Sequence, residues 1–143
     1  MSILPMFDFG KKKQKVLLID DEEVVLSVLS DYISDLDLIV LTAMDGASGI
    51  EVAEAEHPDL IMLDARMPKL DGWSTLSALK KNPQTGQIPV LMCTAVSDIG
   101  SYDRAFAYGA QGYIIKPIKP LELERKVGKF LALRKIPGRV REA

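Results

Sequence analysis

Four short signatures in the chain carry residue types able to do chemistry: Asp20-Asp21, Asp64, Thr94 and Lys116. They follow in that order, and gaps of 44, 30 and 22 residues separate Asp20, Asp64, Thr94 and Lys116. Each stands where a short apolar run gives out. "KVLLI" leads into Asp20 and Asp21, "LIML" into Asp64, "VLMC" into Thr94, and "GYII" into Lys116. If these runs are neighbouring strands, three carboxylates, one hydroxyl and one ammonium share a small space. Two carboxylates about 4 Å apart repel by on the order of 4 kcal/mol at an effective dielectric near 20. A divalent cation would offset that repulsion, and hard carboxylate oxygens select magnesium, manganese or calcium. Magnesium keeps several waters and needs only one or two carboxylates, which leaves its shell open to phosphate oxygens. Lys116 would supply a further positive charge, meeting a carboxylate or a phosphoryl oxygen as a point charge.

The elements that must position these residues alternate along the chain. Short apolar runs predict strands at "KVLLID" (15–20), "LIVLTA" (38–43), "DLIMLD" (59–64), "IPVLMCT" (88–94) and "GYIIK" (112–116). Such runs suit parallel strands covered on both faces. Helices are predicted over 22–34, 46–56, 71–81, 98–109 and 120–134. In the first, Val25, Val28, Leu29 and Tyr32 recur at helical spacing. The second is weakened by Gly46 and Gly49. Asp71 is a plausible N-cap of the third, Gly109 a C′ residue of the fourth, and Pro120 lies in the first turn of the last. Five strands alternating with five helices predict an open α/β sheet with right-handed crossovers. Open sheets of this kind bind ligands beyond the carboxyl ends of their strands. The 38–43 run ends in "TAMDG", which offers nothing catalytic. The chemistry therefore gathers on the other four strands.

Composition bounds the remaining possibilities. A chain of 143 residues fits one domain with a real core. Hydrophobic and charged fractions of 48% and 27% are those of an ordinary globular protein. The single cysteine, Cys93, cannot form an internal disulfide; it reads as a small buried residue in a reducing compartment. No apolar run approaches the roughly 18 residues of a membrane span. Lys11, Lys12, Lys13 and Lys15 follow a mixed stretch, the reverse of a signal peptide's order, so a cytoplasmic location is expected. The net charge of −2 is unevenly spread: residues 1–15 and 134–143 each carry +3, leaving −8 on residues 16–133. An acidic body repels phosphates, so no direct nucleic-acid binding is expected. The basic ends read as solvated tails or as contacts for an acidic partner or membrane surface. The expected division is a basic N-terminal extension at 1–14, one domain at 15–134, and a tail or linker stub at 135–143. His57, before Pro58, reads as a surface loop residue.

Taken together, the "DD" at 20–21, Asp64 followed by Met67-Pro68 and Asp71-Gly72, the "TA" at 94–95 and the "KP" at 116–117 resemble a receiver domain of two-component response regulators. The resemblance covers residues 15–134. It implies a flavodoxin-like, doubly wound, five-stranded parallel sheet in the order 2-1-3-4-5 with five helices. It also implies a signalling domain rather than an enzyme, one that catalyses only its own phosphorylation and slow dephosphorylation. Asp64 would be the phosphoacceptor, since carboxylates do form aspartyl-phosphates. Asp21, Asp64 and the backbone carbonyl of Arg66 would hold Mg²⁺, or Mn²⁺ in its place, with Asp20 acting through water. Lys116 would pair with Asp64 and then with the phosphoryl group, and Thr94 would donate its hydroxyl to a phosphoryl oxygen. The bond before Pro117 would be cis. On phosphorylation Thr94 would shift and Tyr113 would turn inward, changing the face of the fourth helix, fifth strand and fifth helix. The implied partners are a sensor histidine kinase or phosphotransfer protein and a downstream protein effector, with the chain a monomer or homodimer.

Rival readings stay open at this level. A receiver fold could serve as a docking adaptor independent of phosphorylation. A flavodoxin-like electron carrier would want a Ser/Thr/Gly-rich phosphate loop after the first strand, where this chain has "DDEEV". An aspartyl-phosphate hydrolase would want an acid two residues past its nucleophile, where this chain has Arg66. That arginine either overhangs the site and changes the lifetime of the phosphate, or points outward. Tyr113 is either a switch or a static strand aromatic.

Overall fold

The computed structural model describes residues 13–67, 69–95 and 102–133, excepting the side chains of Tyr102 and Asp103. Most of the basic N-terminal extension, the C-terminal tail, Pro68 and the expected first turn of the fourth helix lie outside those residues. The elements run β1 (Lys15–Ile19), α1 (Glu23–Ser34), β2 (Ile39–Ala43), α2 (Gly46–Glu56), β3 (Leu60–Asp64), α3 (Gly72–Lys81), β4 (Val90–Ala95), α4 (Tyr102–Ala107), β5 (Gly112–Lys116) and α5 (Pro120–Val127). The five strands form one sheet in the order β2-β1-β3-β4-β5, with every neighbouring pair parallel. The fold is therefore the expected flavodoxin-like, doubly wound α/β sheet.

Side-chain alternation along the strands builds two cores. Leu17, Ile19, Ile61, Leu63, Val90 and Met92 face one way and pack with Ala53, Trp73, Leu76, Leu79 and Ala105 of α2, α3 and α4. Val16, Leu18, Leu60, Met62, Leu91, Cys93 and Ile114 face the other way and pack with Leu26, Leu29, Ile33, Leu123 and Val127 of α1 and α5. Burial on both faces explains why β1 and β3 read as unbroken apolar runs.

The α2 glycines are explained by close packing. A Cβ on Gly49 would lie 2.4 Å from Ile19 Cδ1, and one on Gly46 would lie 2.1 Å from Thr75 Oγ1. They let the helix sit against β1 and α3 despite their low propensity. Asp71 caps α3, accepting from the Ser74 N–H at 2.8 Å. Gly109 follows α4 at φ 97°, a left-handed conformation that favours glycine. His57 caps α2 at φ 47° and is exposed.

Most elements differ from the sequence reading by a residue or two at a boundary, α4 ending at Ala107 rather than 109, and two of the differences have a visible cause. α5 ends at Val127 rather than 134. Beyond Gly128 the Lys129 and Phe130 N–H groups bond three residues back, to Lys126 and Val127. That tighter turn buries Leu131 against the α1–α5 core. β4 begins at Val90, two residues late: the Ile88 N–H closes a turn onto Thr85, and Pro89 has no N–H to add to the ladder.

Candidate functional site

The carboxyl ends of β1, β3, β4 and β5 lie side by side because the sheet order makes those strands consecutive. Asp20 follows β1 directly and is 4% exposed. Both of its carboxylate oxygens are engaged. Oδ1 accepts from the Glu22 N–H at 2.9 Å, and Oδ2 accepts from Lys116 Nζ at 2.8 Å. Asp64 closes β3 and is 6% exposed. Its Oδ1 lies 3.2 Å from Lys116 Nζ and 3.4 Å from the Arg66 N–H that donates to it. Asp21 lies more open than either. One carboxylate oxygen from each of Asp20, Asp21 and Asp64 falls within 4.8 Å of the others.

Lys116 thus reaches from the sheet's edge strand to two acids on interior strands. Its peptide bond to Pro117 is cis. Thr94 is buried near the end of β4, its hydroxyl 3.5 Å from the Ala95 carbonyl and one residue past Cys93, the register partner of Asp64. Tyr113 is half-buried on β5. Its ring meets Phe106 edge-on at 6.2 Å, and Lys126 Nζ sits 4.6 Å from its centroid. Arg66 is exposed, and its backbone N–H addresses Asp64.

Electrostatics follow from this packing. Burial pushes the Asp64 carboxyl up to about 6; the nearby Lys116 charge opposes that rise and Asp20 adds to it. Burial alone would lower the Lys116 ammonium, but its hydrogen bond to Asp20 and the charge of Asp64 prevail and raise it. It is therefore a fixed cation. Burial also pushes the Cys93 thiol up to about 12, leaving it an inert core residue.

Three carboxylates facing one ammonium leave a formal charge of −2 in the cluster. Two of the three are buried, where uncompensated charge is costly. The donor set is all oxygen, so the residues fit a hard divalent cation of the magnesium class.

Gly72 is a supporting residue whose role the sequence reading missed. A Cβ there would lie 2.2 Å from the Asp64 carbonyl oxygen and 2.7 Å from Ala65 Cα. Its N–H also donates to the Ala65 carbonyl at 3.2 Å. α3 is thus seated directly behind the Asp64 turn. The "DG" at 71–72 was visible as a helix start, but nothing local reveals which backbone the glycine must approach.

The description "Response regulator receiver domain" matches residues 16–128. The chain belongs to that family. This receiver domain is 37% identical over 120 residues to a "Probable transcriptional regulator ycf27" of Porphyridium aerugineum, covering 84% of this chain and 49% of that protein. It is 33% identical over 129 residues to the "DNA-binding dual master transcriptional regulator RpaA" of a Synechocystis strain, covering 90% of this chain and 52% of that protein. Among solved structures it resembles the receiver domain of the sensor histidine kinase PA1611 from Pseudomonas aeruginosa. That structure is described as having a magnesium ion coordinated in the active site cleft. The TM-score is 0.76 at 28% identity, covering 83% of this chain and 98% of that one. The chain spans about half the length of the curated relatives it matches.

These relatives overturn one expectation. The absence of direct nucleic-acid binding was inferred from the −8 charge of residues 16–133, yet relatives are described as a transcriptional regulator and as DNA-binding. The physical error is one of scope: a charge balance governs the surface of the stretch counted, and this chain corresponds to only half of those proteins. Among the described residues no helix is long and apolar enough to cross a membrane.

Proposed function

We propose that the receiver accepts a phosphoryl group from a histidine kinase or phosphotransfer protein onto Asp64. The observation that carries this reading is the ammonium of Lys116 lying between Asp20 and Asp64, 2.8 and 3.2 Å away, with Asp21 beside them. Asp21, Asp64 and the Arg66 backbone carbonyl would hold Mg²⁺ directly, and Asp20 through water. Bound there, magnesium would neutralise the acids and the incoming phosphoryl oxygens.

Each side chain then has a task. An Asp64 carboxylate oxygen attacks phosphorus; the P–N bond to the donor histidine breaks as the P–O bond forms, and the electron pair leaves on the imidazole nitrogen. Lys116 exchanges its contact with Asp64 for one with a phosphoryl oxygen. Thr94 turns its hydroxyl toward another. Positioning and charge neutralisation suffice for phosphoryl transfer, so no further acid or base is required. The product adds about −1.5 to −2 of charge at this edge of the sheet. Tyr113 follows Thr94 inward, and the face of α4, β5 and α5 changes shape for a protein effector. In keeping with the relatives described as transcriptional regulators, we take the eventual output to be control of transcription.

Intact-mass spectrometry after incubation with acetyl phosphate and Mg²⁺ tests this. The wild type should gain one phosphoryl group and Asp64→Asn none. An unmodified wild type would favour the docking adaptor instead.

A further inference from the structure

One stretch of the chain is free of acids. Residues 72–97 contain no Asp or Glu, although residues 16–133 sum to −8. The surface where α3 meets α4 carries Lys80, Lys81 and Arg104. The flanking acids are Asp71, whose carboxylate caps α3, Asp98, which lies outside the described residues, and Asp103, whose side chain does; from α2, Glu54 accepts from the Asn82 side chain at 2.7 Å, one residue past Lys81. Lys80 is committed to structure, donating to the carbonyls of Gly86 at 3.2 Å and Ile88 at 2.6 Å. Among the described residues, neither Lys81 nor Arg104 forms an ion pair.

Arg104 is held in an aromatic corner. Its guanidinium carbon lies 4.8 Å from the Trp73 ring centroid and 5.5 Å from that of Tyr108, and the two rings meet edge-on at 82°. Stacking engages the flat face of a guanidinium. Its N–H donors radiate from the edge, in the plane, where a bidentate oxygen acceptor can meet them. The two rings stand nearly perpendicular, so the guanidinium can lie flat on only one of them; the corner restrains it, and its five N–H donors exceed what an edge contact with the other ring engages. Beside it is a concavity of about 490 Å³ lined by Trp73, Ser74, Ser77, Lys81, Arg104 and Tyr108 among others. It continues into a second, of about 410 Å³, that shares Ser77, Lys81 and Tyr108.

Two cations and two hydroxyls suit a phosphate. The space is far larger than one phosphate and lies within the roughly 300–1,000 Å³ of small-molecule sites. Its aromatic walls suit a flat ring attached to that anion. The geometry points to a binding site for a nucleoside monophosphate between α3 and α4, separate from the Asp64 cluster. The phosphate sits between Lys81 and Arg104 with the serine hydroxyls, and the base lies against the exposed ring of Tyr108.

Trp73 is the chain's single tryptophan, so indole fluorescence, excited apart from the four tyrosines, follows this corner, and EDTA keeps metal binding at the nearby Asp64 cluster from contributing. The 143-residue chain in EDTA is titrated with adenosine 5′-monophosphate, excited at the red edge of the indole band and corrected for absorption by the ligand. A saturable change is expected. Lys81→Gln and Arg104→Gln should each weaken binding about tenfold, the loss of one charge-assisted contact. Lys129→Gln and Asp64→Asn should bind as the wild type does, and circular dichroism melts should show all four variants folded. Adenosine alone and inorganic phosphate alone should each bind at least about tenfold more weakly than the nucleotide. No saturable change at millimolar nucleotide overturns the proposal. So do variants at Lys81 and Arg104 that bind as the wild type does, or adenosine binding as well as its phosphate. Loss of binding in Asp64→Asn would move the site to the acidic cluster and also overturn it.

Discussion

Asp64→Asn should stabilise the metal-free protein, and the gain should depend on pH. The wild-type carboxyl is raised from 3.8 to about 6. Below about pH 3.8 it is protonated in both the folded and unfolded chain and contributes no difference. Between about 3.8 and 6 the unfolded chain releases its proton first, so folding loses stability as pH rises. Above about 6 the full cost applies. A raised acid behaves in this sense because the folded state binds the proton more tightly. A shift of about two pH units at about 1.4 kcal/mol each corresponds to about 3 kcal/mol. The residue is only 6% exposed, so solvent screening removes little of that. Asparagine fills nearly the same volume without the charge, and Lys116 keeps its 2.8 Å bond to Asp20. In EDTA at pH 8 the variant should therefore melt about 10 °C higher, at about 4 °C per kcal/mol for a chain of this length. The gap should close by pH 4. Added Mg²⁺ should raise the wild type more than the variant, since a ligand that binds only the folded state stabilises it. Calorimetry across pH 4–8, with and without Mg²⁺, measures all of this. A variant less stable than wild type at pH 8 in EDTA, or a gap that persists on acidification, would refute the account of the cluster.

The other perturbations probe its neighbours. Lys116→Ala leaves two buried carboxylates without their ammonium and should cost about 3 kcal/mol or more in EDTA, part of it recovered with Mg²⁺; urea melts decide, and equal stability would mean the acids were already compensated. Gly72→Ala forces a methyl into the Asp64 carbonyl, 2.2 Å from where its Cβ would stand, and should cost about 3 kcal/mol in denaturant midpoint. A wild-type midpoint would show that α3 does not sit that close. Arg66→Ala should change the lifetime of the aspartyl-phosphate, followed by intact mass over time, while leaving the melting temperature alone. An unchanged lifetime would sink the idea that this arginine acts on the phosphate.

The acidic cluster was legible because its residues announce themselves locally. A buried parallel strand is an apolar run, and a carboxylate or ammonium at the end of one is out of place unless something faces it. Asp20, Asp64 and Lys116 each break such a run, and the alternation of strands with helices brings the breaks to one edge. The end of α5 was less legible: Leu131 and Phe130 continue a helical spacing, and only their packing against α1 shows that the chain has already turned. The α3–α4 corner was not legible at all. Trp73 reads as a core anchor of its own helix, Arg104 and Tyr108 as a polar and an aromatic residue four apart on another, and their meeting depends on how two helices lie over one sheet. Charge shows the same limit from the opposite side. The −8 of residues 16–133 was used to argue against phosphate-bearing partners, but it is a sum along the chain, and electrostatic attraction is decided by the sum over a patch of surface. A protein acidic on average can present Lys81 and Arg104 together beside a stretch of 26 residues that holds no acid, and a ligand meets that patch before it meets the average.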